Sequence, residues 1–339
     1  MLLRAARPVF VALDAIRNCS SRGRPLKRNC SFIILLCRRE FSATRGVCQS
    51  NMESPSKAPA LVAVCQMNST NDVDRNLGIC EDLVRKAKSR GAKVVFLPEC
   101  FDYVGENREQ TLSMAAPLES TRMQGMRDLA KELGVWLSLG GYHEKGPADD
   151  KRVHNSHVLV DDHGSIAAVY RKIHLFDIDV KDGPQLKESD GTIPGDQIVP
   201  PVPTPVGNVG LAICYDVRFP ELSTILAQQG AHILTYPSAF TQITGSAHWE
   251  VLLRSRAIEN QCYVIAAAQT GQHNTKRRSY GHAMVVDPWG CMIAQCREGN
   301  DVCVAEIDLD YLNKVRQQMP VMKHKRDDLY GKLNSSPKL

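Results

Sequence analysis

"GAKVVFLPECF", residues 91–101, and "GAHILTYPSAF", residues 230–240, are two versions of one frame. Gly91 matches Gly230, Ala92 matches Ala231, Pro98 matches Pro237 and Phe101 matches Phe240, all at one common offset. In each copy a short apolar run stops at a proline, as a buried strand would. The frame reads as scaffold that the chain uses twice. Its polar content is what differs: the first copy presents Glu99 and Cys100 where the second has Ser238 and Ala239.

Outward from each frame the same programme unfolds. Before the first, "LVAVCQM" (61–67) reads as a buried strand, and residues 74–90 set Leu77, Cys80, Val84 and Ala87 on one helical face. After it come a loop, a helix over 120–133, a strand over 135–142, and two strands over 154–172 joined by a tight turn ending at Gly164. The second half repeats the order: strand 209–216, helix 220–230, strand 231–236, helix 246–261, strand 262–269, and a hairpin over 280–296 that turns at Asp287-Pro288-Trp289-Gly290. Two matched α/β halves predict a four-layer α-β-β-α sandwich, two sheets face to face with helices outside. Residues 171–205 read as a long loop, and such loops inside compact domains tend to be functional. The chain from about residue 319 is polar and basic, and is expected to wrap a surface or a partner subunit.

With 339 residues and 43% hydrophobic content the chain can bury a large core. Its net charge of +5 is unevenly spread, because residues 1–49 hold nine Arg and Lys27 against Asp14 and Glu40. The remainder is close to neutral, which argues against a nucleic-acid partner. The first 45 residues, Arg-rich, Ser-bearing and acid-poor, have the composition of a mitochondrial transit peptide, with a disordered basic leader as the alternative. "RREFSATRG" (38–46) resembles a processing site, and Met52 is placed to start a leaderless cytoplasmic form. The longest apolar run of the leader, "SFIILLC", is too short to span a bilayer, so no membrane insertion is expected. The twelve cysteines form no C-x-x-C pair and no zinc spacing, so reduced thiols and no metal are expected; Cys291, Cys296 and Cys303 read as packing residues.

Cys214 in "GLAICYDVRFPE" is the foremost candidate nucleophile. An apolar strand runs into the thiol and a helix follows, the layout of a nucleophile elbow, although a buried structural cysteine has the same local pattern. The backbone N–H of Tyr215 would then point at the reacting carbon as an oxyanion donor. A thiol needs a base, since little of it is thiolate at neutral pH. The histidines His232, His248, His273 and His282 are one source. Glu99 is the other, at the end of its strand and placed by the repeat to face the second copy; a desolvated pocket is expected to raise its pKa. Lys172, after a strand and at the mouth of the long loop, would add a cation for a developing oxyanion.

Taken together, Glu99 in "FLPECF", Lys172 in "YRKIHLFD" and Cys214 in "GLAICYDVRFPEL" closely resemble the Glu-Lys-Cys triad of the nitrilase superfamily of carbon–nitrogen hydrolases. The resemblance covers roughly residues 60–330, and implies a hydrolase domain over 58–330 with a tail over 331–339. It implies the α-β-β-α sandwich, a homodimer or larger homo-oligomer, no cofactor, and amide hydrolysis through a cysteine thioester. Many members carry a second glutamate in the long loop, which Glu188 matches. The implied substrate is a small anionic amide. Arg218 and the run "TKRRSYGH" (275–282), Arg278 above all, are the candidate cations for its carboxylates, with simple solvation the alternative for both Arg277 and Arg278. Rival activities with the same triad act on 2-oxoacid ω-amides, carbamoyl amides or nitriles. A non-catalytic interaction scaffold built on the same dimeric fold is the rival of another class.

Overall fold

A computed structural model of the protein describes residues 59–179, 185–331 and 333. The leader, its cleavage site and Met52 lie outside the described residues, as does nearly all of the 331–339 tail.

The first half runs β1 (Ala60–Met67), α1 (Val73–Ser89), β2 (Val94–Leu97), α2 (Arg108–Met114), α3 (Thr121–Leu133), β3 (Trp136–Lys145), β4 (Val153–Val160) and β5 (Ile166–Arg171). A small hairpin follows, β6 (Asp177–Asp179) with β7 (Gln185–Lys187). The second half runs β8 (Val202–Thr204), β9 (Gly207–Leu211), α4 (Pro220–Gln228), β10 (Ile233–Thr235), α5 (Gln242–Asn260), β11 (Tyr263–Ala266), β12 (Ala268–Gln272), β13 (Arg278–Tyr280), β14 (Met284–Val286), β15 (Met292–Gln295) and β16 (Asp301–Ile307), closing with α6 (Leu309–Gln318) and α7 (Asp327–Tyr330).

The two halves share one topology. In one sheet β1, β2, β3, β4 and β5 are successive neighbours; in the other β9, β10, β11, β14 and β15 are. Both series pair parallel, parallel, antiparallel, antiparallel. The layering follows from β1. Its Val62 and Val64 join the core shared with the second sheet, while Ala63, Cys65 and Met67 pack with Cys80, Val84 and Met123 of α1 and α3. A strand buried on both faces needs a sheet on one side and helices on the other, the four-layer sandwich expected from the repeat. The halves meet closely at their repeated corners. A Cβ added to Gly140 would lie 2.1 Å from Pro237 of the second frame.

The elements start and stop where local chemistry dictates. Asp72, Ser120, Thr241 and Asp308 cap α1, α3, α5 and α6 by accepting a backbone N–H of the first turn. The Thr241 cap starts α5 four residues before the apolar pattern does. The added turn contains Gly245, a poor helix former that is kept because Tyr280 packs where a Cβ would stand. The helix α2 buries no residue and therefore has no apolar stripe to reveal it. The stretch 262–269 is two strands, not one: β11 belongs to the second sheet and β12 pairs with β1 of the first. The polar segment after residue 319 is partly helical, with a turn over Val321–His324 before α7. Of the three cysteines expected to pack, Cys296 is buried, Cys303 intermediate and Cys291 exposed. Among the described residues no helix is long and apolar enough to cross a membrane.

Candidate active site

Cys214 lies three residues beyond β9 and opens a 3-10 turn, Cys214–Arg218. Its backbone is left-handed, φ 47°, which a side-chain-bearing residue adopts only when its surroundings enforce it. The enforcement is visible: Ile213 before it is extended, the Cys214 N–H donates to Pro237 O at 3.0 Å, and the Asp216 N–H donates to Ile213 O at 3.0 Å. The strand ends at Leu211, earlier than the apolar pattern runs, because this turn takes over.

Glu99 lies two residues beyond β2 and is 4% exposed. Its Oε2 accepts the Ala239 N–H at 2.8 Å, so the polar position of the first frame reaches the backbone of the second. Its Oε1 accepts from Asn155 Nδ2 at 2.8 Å and from Lys172 Nζ at 3.1 Å. Lys172, 2% exposed at the end of β5, also donates to Glu188 Oε1 at 3.2 Å and Oε2 at 2.9 Å. Glu188 sits in a 3-10 turn after β7 and takes the Phe176 N–H at 2.7 Å, which fixes the entrance of the long loop. Three separate stretches thus bring Glu99, Lys172 and Cys214 together, with Glu188 behind the lysine.

The electrostatics differ from the expectation at one point. Burial pushes the Glu99 pKa up, but the Lys172 charge, the Cys214 thiol, Asn155 and the Arg277 charge together pull it down to about 2. Glu99 is therefore a carboxylate throughout the neutral range, not a group tuned towards neutrality. Burial, then the neighbouring Glu99 charge, push the Cys214 thiol well above its ordinary value, against the opposing effects of Lys172 and a backbone contact at Ala239. Lys172 is held charged: burial disfavours the ammonium, yet Glu188, Glu99 and Cys214 outweigh it. The resting arrangement is a neutral thiol beside a carboxylate and an ammonium.

The pocket in front of the thiol is walled by Phe176, Tyr215, Arg218, Ala239, Phe240, Thr241 and Thr244. No backbone acceptor outside its own turn takes the Tyr215 N–H, which stands beside Cys214 where the sequence placed it. Arg218 lies over the rings of Tyr215 and Phe240, at 5.7 Å and 5.5 Å, and donates towards His248 Nδ1 at 3.2 Å. Arg278 is exposed on β13. Its neighbour Arg277 is the one whose charge acts on Glu99. Burial works against its charge, yet Cys100, Glu99, Cys214 and Glu188 together hold the Arg277 guanidinium above its ordinary pKa, although the residue as a whole is exposed.

Of the four candidate histidine bases, His248 meets Arg218 at the pocket wall and the other three are engaged elsewhere. The ring of His273 contacts Ser69 O and Ser279 Oγ, each at 2.8 Å, His282 contacts Tyr280 O at 3.1 Å, and His232 accepts the Asn208 N–H. Asn155 is the residue that sequence reading missed. It bridges Glu99 and Glu188 from the middle of β4 through one amide nitrogen, and its Oδ1 is buried without a partner. Its strand, VHNSHVLV, carries four polar residues in a row, so no local signal singled Asn155 out. Gly141, φ 66°, makes the room: a Cβ there would stand 2.9 Å from that oxygen and 2.6 Å from Glu99 Cγ. Among the described residues the one cluster with metal-ligand geometry is Asp161, Asp162 and His163, in the turn before β5, at the opposite end of that strand from Lys172.

Comparison with known proteins places the chain in a family. The carbon–nitrogen hydrolase family profile matches residues 61–317. The deaminated glutathione amidase of Bos taurus is 53% identical over 275 residues, covering 80% of this chain and 84% of that protein. The human protein of the same name is 50% identical over 301 residues, 88% of this chain and 90% of its own. The crystal structure of the Caenorhabditis elegans NitFhit protein superposes with a TM-score of 0.80 at 48% identity, covering 84% of this chain and 69% of that one.

Proposed function

The chain belongs to the carbon–nitrogen hydrolase family, and from that premise we propose that it is an amidase that cleaves deaminated glutathione to 2-oxoglutarate and cysteinylglycine. The observation that carries the chemistry is the contact set of one buried carboxylate: Glu99 holds Lys172 and the Ala239 backbone while lying beside the Cys214 thiol. A resting thiol with a raised pKa beside a strongly acidic carboxylate makes proton transfer ahead of attack steeply uphill. Transfer is therefore concerted with formation of the S–C bond, as negative charge moves onto the carbonyl oxygen. Lys172 and the Tyr215 N–H receive that oxyanion. Glu99 returns the proton to the nitrogen as the C–N bond breaks, leaving a thioester and free amine. Glu99 then takes a proton from water, the hydroxyl adds to the thioester, and the acid leaves as the thiol is restored. Glu188 and Asn155 hold Lys172 and Glu99 in register.

The substrate follows from two supports. The similar proteins from cattle and human are named for deaminated glutathione. That molecule carries a carboxylate on either side of its scissile amide, and Arg218 and Arg277 offer one guanidinium each near Cys214. The ω-amide of a 2-oxo acid shares the acyl half and is the comparison substrate. Acid-quenched turnover followed by peptide mass spectrometry should find the 2-oxoglutaryl group on Cys214, and both Cys214→Ala and Glu99→Gln should release no product. A folded Cys214→Ala enzyme with ordinary turnover would sink the assignment.

Two further readings belong to this proposal. Exposed Ile243, Val251 and Ile258 form an outward stripe on α5, continued by Trp289 of the β14–β15 turn, and this stripe supports a homodimer. The basic first 45 residues support a mitochondrial form, and Met52 a cytoplasmic one. N-terminal sequencing of the protein from each fraction is the check, and an intact Met1 in mitochondria would count against cleavage.

A further inference from the structure

Asp216 is fully buried, two residues after the nucleophile, and the chemistry above makes no use of it. Each of its carboxylate oxygens takes two donors. Oδ2 accepts the Ile213 N–H at 2.8 Å and the Tyr170 hydroxyl at 2.7 Å. Oδ1 accepts the His174 N–H at 3.2 Å and faces His174 Nδ1 at 2.7 Å. The donors come from two places. Ile213 precedes Cys214, and its bond closes the turn that holds Cys214 left-handed. Tyr170 and His174 flank Lys172, one on each side at equal distance along the chain. The far ring face of His174 is fixed by stacking on Phe219 of the same nucleophile turn, centroids 3.7 Å apart and 7° from parallel.

We propose that Asp216 is a positioning residue that sets the nucleophile against the oxyanion cation, by fastening the Cys214 turn and the Lys172 segment to one carboxylate. The inference rests on the roles of Cys214 and Lys172 given above. A purely structural carboxylate would need only local donors to close its own turn. This one binds across the two segments that carry Cys214 and Lys172, and all its partners are donors, so an amide cannot replace it without opposing an N–H to an N–H. The displacement that follows should be felt in the transition state, where the charge on oxygen must meet Lys172, rather than in substrate binding.

The His174 donor offers the cleaner test, since His174→Asn keeps an N–H near the Nδ1 position and His174→Leu does not. The full chain is assayed with deaminated glutathione well below the melting temperature of each variant, and acylation is followed by quenched mass spectrometry. His174→Leu is expected to lose about 30-fold in kcat and in acylation rate with KM within threefold, while His174→Asn stays within threefold of the parent. Asp216→Asn, if it folds, should show the same kcat-selective loss. Equal activities for the two His174 variants, or a loss that appears in KM alone, would overturn the proposal. Failure of the parent itself to form a thioester on Cys214 would instead overturn the reading beneath it.

Discussion

Glu99 is buried, and burial by itself favours the protonated acid; Lys172 at 3.1 Å and the groups around it reverse the sign. A carboxylate with a depressed pKa adds to stability above its unfolded value, and that contribution is lost only as the pH falls through the folded value. Here the loss falls between roughly pH 5 and pH 2. The base thus stays ionised through mild acid. On the alkaline side Cys214 and Lys172 are both shifted up, so the thiol and ammonium forms persist beyond pH 9, the ordinary thiol value. The expected profile of kcat/KM is flat from roughly pH 5 to pH 9. A limb centred between 6 and 7, in protein that circular dichroism shows to be folded, would mean that Glu99 is tuned upward after all. Arg277 yields a second test at this scale. Arg277→Ala should raise KM for carboxylate-bearing amides by about tenfold or more, the worth of one charge-assisted contact, and leave neutral amides of the same acyl length unchanged. A uniform loss across both substrate types would assign Arg277 to charge balance beside Glu99 and Glu188 instead.

At the scale of elements, the repeat explains why one site exists and not two. The pairings Val62↔Val94 and Val209↔Ile233 superpose when the two frames are aligned, and the same alignment sets Met67 of the first copy opposite Cys214 of the second. Ser238 stands where Glu99 does. The mirrored corner therefore has a thioether in place of the nucleophile and a buried hydroxyl in place of the base. Contact between the corners depends on Gly140, where a Cβ would also fall 2.8 Å from Leu97 O. Gly140→Ala should cost about 2 kcal/mol by overpacking, lowering the melting temperature by about 5 °C, and should weaken turnover further by moving Pro237 away from the Cys214 amide. A melting curve unchanged from the parent would show that the corners can part without strain. The repeat and the order of elements along each half were legible, because period-2 and helical patterns are local signals, whereas Glu99, Lys172 and Cys214 stood out as a set through the resemblance of their three motifs to the nitrilase superfamily. What stayed hidden was set by distant contacts. Thr241 and Tyr280 decide where α5 begins, the sheet change between β11 and β12 has no composition, and the direction of the Glu99 shift is fixed by Lys172, Asn155 and Arg277, which lie far off in sequence.

For the whole molecule, the outer face of α5 is the least explained surface. Ile243, Val251 and Ile258 are 62%, 65% and 50% exposed, and Trp289 beside them is 53% exposed, more apolar area than a single protomer has reason to show water. A two-fold contact would bury the same stripe from both partners at once. The position of this helix would tie such a contact to catalysis. Thr241 caps α5, Thr244 lies in its first turn, and both wall the pocket before Cys214. Holding the outer face of α5 should therefore steady the inner wall of the site. Val251→Asp places a charge at the centre of the stripe, on a side chain that a lone protomer already leaves in water, so the protomer should fold with its melting temperature little changed. Sedimentation of this variant should give the mass of one chain where the parent gives two or more. Its specific activity should fall with dilution at concentrations where that of the parent stays constant. A variant that sediments like the parent would move the interface off α5, and a parent that is itself a single chain would remove the dimer altogether.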